Sequence, residues 1–142
     1  AVRVPVALGE EWHHVHDALP RLQRGAAAIV QPEVAHCGLS QFMQIGRLAQ
    51  AFHLQVMPHA TIGVGIFQAA SLHAAAALPN APMHEYQHSV FDRHLALLQT
   101  TMRCEAGVFT VPDGPGLGES PAPALWAQAQ HAAHAARPAA RS

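Results

Sequence analysis

"LQVMPHATIG", residues 54–63, places an ionisable ring at the mouth of an apolar run. Leu54, Val56 and Met57 suit a buried strand and Pro58 ends it. His59 then stands where a plain turn residue would serve, ahead of a small-residue stretch with Gly63 and Gly65. Three more short apolar runs, at 2–8, 28–30 and 83–86, bring Glu10, Glu33 and Glu85 to matching positions. The separations are 33 − 10 = 23, 59 − 33 = 26 and 85 − 59 = 26 residues, close to the length of one strand–helix unit.

Between these runs lie helical patterns. Residues 40–52 carry Phe42, Ile45, Leu48, Ala49 and Phe52 at helical spacing behind Ser40, a good N-cap, with Gln41, Gln44, Arg47 and Gln50 off that face. A second helix is expected over 66–77, stopping before Pro79, and a short one over 20–24, with Pro20 in its first turn and Gly25 just past its end. Brief apolar strands alternating with helices predict an α/β fold, a parallel sheet with right-handed crossovers. In such folds, above all (β/α)8 barrels, chemistry occurs at the C-terminal rim of the strands, where all four ionisable residues would stand.

Beyond residue 86 the pattern changes. Ser89-x-x-Asp92 suggests a capping box opening a helix to about residue 99, and "GVFTVPDGPGLG" (107–118) reads as a strand and a Gly/Pro turn. Residues 119–142, rich in Ala, Pro, Gln, His and Arg, are expected to form a disordered tail outside a domain at 1–118.

Half of the 142 residues are hydrophobic and 12% are charged, so much of the surface is expected to face other protein. The formal net charge of −1 and only 8 Lys and Arg argue against nucleic acid as a partner. The Ala-rich stretch 66–78 is broken by Gln68, Ser71 and His73, and no run reaches the roughly 20 apolar residues of a membrane helix. Cys37 and Cys104, far apart and without a leader sequence, are expected to be thiols of a cytoplasmic protein. The start at Ala1, inside an expected strand, suggests upstream sequence not included here. Twelve histidines invite a metal-carrier hypothesis through His13, His14 and His16, or through His131 and His134, but no Cys/His quartet has ligand spacing.

The segments "VPVALGEE" (4–11), "AIVQPEVAHCGLSQFMQIGRLAQAF" (28–52), "VMPHATIG" (56–63), "SLHAAAALPNAPMHEYQ" (71–87) and "GVFTVPDGPGLG" (107–118), in this order and spacing, resemble the C-terminal half of the barrel of the enolase superfamily, in its mandelate racemase-like branch. The resemblance implies that Glu10 is one of three carboxylate ligands to Mg²⁺, that Glu33 hydrogen-bonds and orients His59, that His59 is a general acid or base, and that Glu85 hydrogen-bonds the substrate carboxylate. Each also has a plainer explanation: a turn carboxylate at Glu10, a helix cap at Glu33, a structural histidine at 59, a polar strand end at 85.

Two positions depart from the family pattern. Glu33 stands where Asp is usual, which adds one methylene of reach, and Cys37-Gly38 replaces a Gly-Gly pair, so a rebuilt loop is expected because Cys tolerates positive φ poorly. The family's first four barrel strands, its lysine pair and its first two metal ligands have no counterpart here. By resemblance the complete enzyme would be an Mg²⁺-dependent dehydratase of sugar acids, working through an enediolate, with a racemase or epimerase of 2-hydroxy acids as the alternative. Alone, the chain is expected to be inactive and to associate with itself or with a missing barrel half. A non-catalytic remnant that binds a partner chain is the third possibility.

Overall fold

The computed structural model describes residues 3–60 and 65–135. Three short strands, β1 (Ala7–Leu8), β2 (Ile29–Val30) and β3 (Gln55–Val56), lie parallel in the order β1-β2-β3, and helices α1 (Val15–Gln23), α2 (Val34–Ala51) and α3 (Ile66–Ala76) follow them in turn. The register puts Ala7, Ile29 and Gln55 in one row and Leu8, Val30 and Val56 in the next. Side chains alternate across a strand, so the two rows face opposite ways. Val30 and Val56 are fully buried, in a core shared with Phe42, Ile45 and Ala49 of α2 and Ala18 and Leu22 of α1. Ala7 and Gln55, on the other row, are exposed. One face is thus covered by helices and the other left open, as expected of a barrel cut in half.

The strands are shorter than the apolar runs that mark them. The run at 83–86 forms no ladder of its own, although the Glu85 amide donates to the Pro58 carbonyl at 3.2 Å and so keeps the segment beside β3. Pro82, just ahead of this run, has no N–H and so adds no ladder bond of its own. Asn80 fastens the preceding turn: its Nδ2 donates to the carbonyls of Gly46 and Leu54, and its own carbonyl accepts from the Val56 amide.

α1 begins earlier than Pro20 suggested. His14 is its N-cap, and the Asp17 carboxylate accepts the amides of His13 and His14 at 3.1 and 3.0 Å, which satisfies donors that the first turn leaves free. Pro20 lies inside the helix and forfeits one intrahelical bond. Gly25 does follow the end, with φ +66°.

α2 starts at Val34 rather than after Ser40 and bends at Gly38, whose φ of 68° and ψ of 164° lie outside the helical region. The positive φ expected to trouble Cys37 falls on Gly38 instead, so the loop keeps the turn without straining a cysteine. A Gly38→Ala change meets no side-chain clash, since nothing lies within 4 Å of an added Cβ. Its cost is therefore backbone strain alone, expected at about 1–3 kcal/mol in a urea titration. A cost near zero would show that the bend relaxes.

The C-terminal third differs more. α4 (His88–Leu95) is capped by Gln87 without a side-chain bond, and Asp92 accepts instead from the Tyr86 hydroxyl at 3.0 Å, so the expected Ser89/Asp92 capping box does not form. β5 (Arg103–Glu105) and β6 (Val108–Thr110) form an antiparallel hairpin turning at Ala106 and Gly107, both at positive φ. β4 (Leu98–Gln99) pairs with β7 (Ser120–Pro121), and α5 spans Pro123–Ala135. α5 falls within the stretch 119–142 expected to be a disordered tail, of which residues 136–142 lie outside the described residues; its Ala-rich composition is also good helix former, opened by Pro at its first position.

Candidate functional site

Parallel register turns the sequence period into a place. Glu10 lies two residues beyond Leu8, Glu33 three beyond Val30 and His59 three beyond Val56, and those three strand residues share one row. The ladder runs on past the strand ends through Gln31 N to Leu8 O (3.0 Å), Met57 N to Val30 O (2.9 Å) and His59 N to Pro32 O (3.2 Å). The four predicted residues therefore meet at one rim.

His59 is their centre. Its Nδ1 lies 2.7 Å from Oε2 of Glu33, and its Nε2 lies 2.9 Å from Oε2 of Glu10 and 3.8 Å from Oε2 of Glu85. Each carboxylate accepts, so a proton on the facing ring nitrogen completes the contact. Glu33 is 5% exposed and its carboxylate points at His59 rather than at the helix it precedes. The two explanations of Glu33 are thus divided within one residue: its carbonyl accepts from the His36 and Cys37 amides, as an N-cap carbonyl does, while its side chain holds the imidazole. The extra methylene relative to Asp is accommodated at a normal hydrogen-bond length. Glu85 accepts the Ala60 amide at 2.9 Å, which ties it to the segment bearing His59. Residues 61–64, which include Gly63, lie outside the described residues.

A brace between the Glu10 and Glu33 loops had no warning in the sequence. His36 Nδ1 lies 3.0 Å from the Glu10 carbonyl, and His13 Nδ1 lies 3.1 Å from the His36 carbonyl. The two rings stack at 5.8 Å between centroids. His13, put forward as a metal ligand, serves here as a clamp. Trp12 is 6% exposed, in the core against α1, with the Arg21 guanidinium 6.0 Å from its ring centre. A cavity of about 600 Å³ does adjoin it, lined by Gly9, Glu10, His13, Asp17, Arg21 and Gln31 among others.

Cys37 donates its thiol to the Glu33 carbonyl at 3.1 Å, and burial pushes its pKa up to about 11, so it is a structural thiol. Among the described residues, no three His, Cys, Asp or Glu side chains are placed to hold a metal ion. Nor, among them, is any helix long and apolar enough to cross a membrane.

Comparison with known proteins agrees with this geometry. Residues 1–125 match the family described as enolase C-terminal domain-like. The chain is 35% identical over 124 residues to D-galactarolactone cycloisomerase of Agrobacterium fabrum, covering 81% of this chain and 32% of that protein. It is 32% identical over 118 residues to arabinonate dehydratase of Saccharolobus solfataricus, covering 82% and 31%. A solved structure from Sinorhizobium meliloti superposes with a TM-score of 0.86 at 52% identity, covering 89% of this chain and 33% of that one. The chain spans about a third of the length of the relatives it matches. The open face of the sheet, the rim of acidic groups around one imidazole and these matches have a single explanation: the chain belongs to the enolase superfamily, in its mandelate racemase and muconate lactonizing enzyme-like branch, as the C-terminal half of the barrel.

Proposed function

We propose that these residues are the C-terminal half of the active site of an acid-sugar dehydratase, inactive until the rest of the barrel is present. The observation that carries it is the 2.7 Å contact between Glu33 and His59 Nδ1 with Nε2 turned toward the rim. A carboxylate on Nδ1 fixes the tautomer and supports positive charge on the ring, which leaves Nε2 to give or take a proton. In dehydration, transfer of the proton beside the substrate carboxylate to a base that the rest of the barrel must supply gives an enediolate. Its collapse expels the β-hydroxyl, to which His59 delivers a proton, so water leaves and an enol remains that becomes a 2-keto-3-deoxy acid. Glu85 hydrogen-bonds the substrate carboxylate as charge grows there.

Mg²⁺, which the family implies, asks for near-octahedral oxygen ligands. Glu10 supplies one carboxylate, already in contact with His59 Nε2, and among the described residues no three His, Cys, Asp or Glu side chains are placed to hold an ion. The residues present do not fit the ion by themselves, and no step above depends on it. A complete metal site requires carboxylates from outside this chain.

The 35% relation to a cycloisomerase favours a second assignment, isomerisation of a sugar-acid lactone by the same imidazole. The test is to incubate the chain with aldonic acids, aldaric acids and their lactones plus Mg²⁺, alone and with a polypeptide carrying the preceding barrel strands of the Sinorhizobium meliloti relative. No product from the chain alone and 2-keto-3-deoxy acid from the pair is the expected result; ring-opened or ring-closed product without water loss would select the cycloisomerase, and no product in either case would sink both.

The open sheet face and the outer edge of β1, unpaired among the described residues, predict association in the absence of that partner. Light scattering on the isolated chain should find dimers or larger species, whereas a monodisperse monomer at micromolar concentration would remove this part of the proposal.

A further inference from the structure

Behind Glu85 lies a polar network that none of the four rim residues explains. Ser71, on α3, is fully buried, and its Oγ lies 2.7 Å from Nε2 of His84. His84 Nδ1 lies 2.8 Å from the carbonyl of Glu85. A carbonyl can only accept, so Nδ1 carries the proton; Nε2 then accepts from the Ser71 hydroxyl, and both ring nitrogens are used. Burial lowers the His84 pKa, which favours this neutral ring. The Phe109 ring meets it edge-on at 5.6 Å, and the Gln68 carboxamide lies 3.4 Å from Nδ1. A buried imidazole held in one tautomer at both ends is an expensive way to fill space, since any apolar side chain of similar size would avoid desolvating two nitrogens and a hydroxyl.

We propose that His84 and Ser71 are positioning residues for Glu85. By holding the Glu85 carbonyl, the ring fixes the rotation of that peptide. This aims the Glu85 side chain at the Ala60 amide, 2.9 Å away, and leaves its carboxylate 3.8 Å from His59. The chain of contacts runs Ser71 to His84 to Glu85 to Ala60, and so joins α3 to the segment carrying His59. Its value for catalysis rests on the role proposed above for Glu85, but the positioning itself can be read without turnover.

The test uses long-range ¹H–¹⁵N correlation of the histidine rings and hydrogen exchange of the Ala60 amide in the 142-residue chain. His84 is expected as the neutral Nδ1–H tautomer through pH 7, and His84→Leu should reduce Ala60 protection about tenfold, the size of a lost buried hydrogen bond. His84→Asn, which keeps a donor near the Nδ1 position, should restore most of it at the same global stability. Ser71→Ala should leave the fold intact while letting the ring exchange between tautomers. An Nε2–H tautomer in the wild type overturns the proposal even if every variant fails to fold. Equal Ala60 protection in the Leu and Asn variants overturns it as well, and does so whether or not the assembled barrel is a dehydratase.

Discussion

Replacing His59 with alanine in the assembled barrel is expected to lower dehydration by about 10²–10⁴-fold, the range that a positioned acid or base supplies. The imidazole is engaged separately at its two ends, Nδ1 by a 5% exposed carboxylate and Nε2 by the more open Glu10. Glutamine at 59 retains polarity and one donor but cannot carry a proton at neutral pH, so it should be almost as impaired as alanine. Glu33→Gln separates orientation from charge: it keeps a hydrogen-bond acceptor near Nδ1 yet withdraws the negative charge that supports a protonated ring. A loss between that of Glu33→Ala and the native protein is expected. Turnover within tenfold of native in His59→Ala would remove the imidazole from the chemistry, while a fall in substrate affinity alone would make it a binding group.

The rim was legible in the sequence because parallel register converts a constant spacing into a common height: once β1, β2 and β3 pair in step, Glu10, Glu33 and His59 have nowhere else to go. What the spacing could not reveal is which carboxylate meets which nitrogen. That depends on the Glu33 side chain turning away from its own helix, a choice made by the buried environment. His36 and His84 were invisible for a related reason: each acts through backbone carbonyls, which carry no residue identity. The fold was readable to a similar depth. Helices with a one-sided apolar pattern appeared where expected, but α1 was misplaced because Asp17 and His14 start it upstream of a proline that normally sits in a first turn. The β5–β6 hairpin lacked an Asn-Gly or Asp-Gly signal, and Ala106 takes a positive φ that its side chain does not advertise.

The same helix pattern supplies the test of what holds the half-barrel together. Phe42 and Phe52 belong to one apolar stripe by sequence, yet Phe42 is fully buried in the core with Val30 and Val56 while Phe52, at the end of α2, is 37% exposed. Phe42→Ala removes a ring from a close-packed site beneath the strands, losing both its transfer free energy and its contacts, and is expected to cost about 3–5 kcal/mol. Small domains are stable by only about 5–15 kcal/mol, so much of the population would unfold in modest urea. Phe52→Ala leaves no enclosed cavity and should cost much less, within the range of ordinary surface substitutions. The consequence reaches the site, because α2 carries Glu33 immediately before its first residue. A loosened α2 withdraws the carboxylate from His59, so the Nδ1 ring signal of His59 should broaden in Phe42→Ala before the main unfolding transition and stay sharp in Phe52→Ala. Equal costs for the two substitutions would mean that the helix does not pack on the sheet in this register, and the convergence of the four rim residues would lose its physical basis.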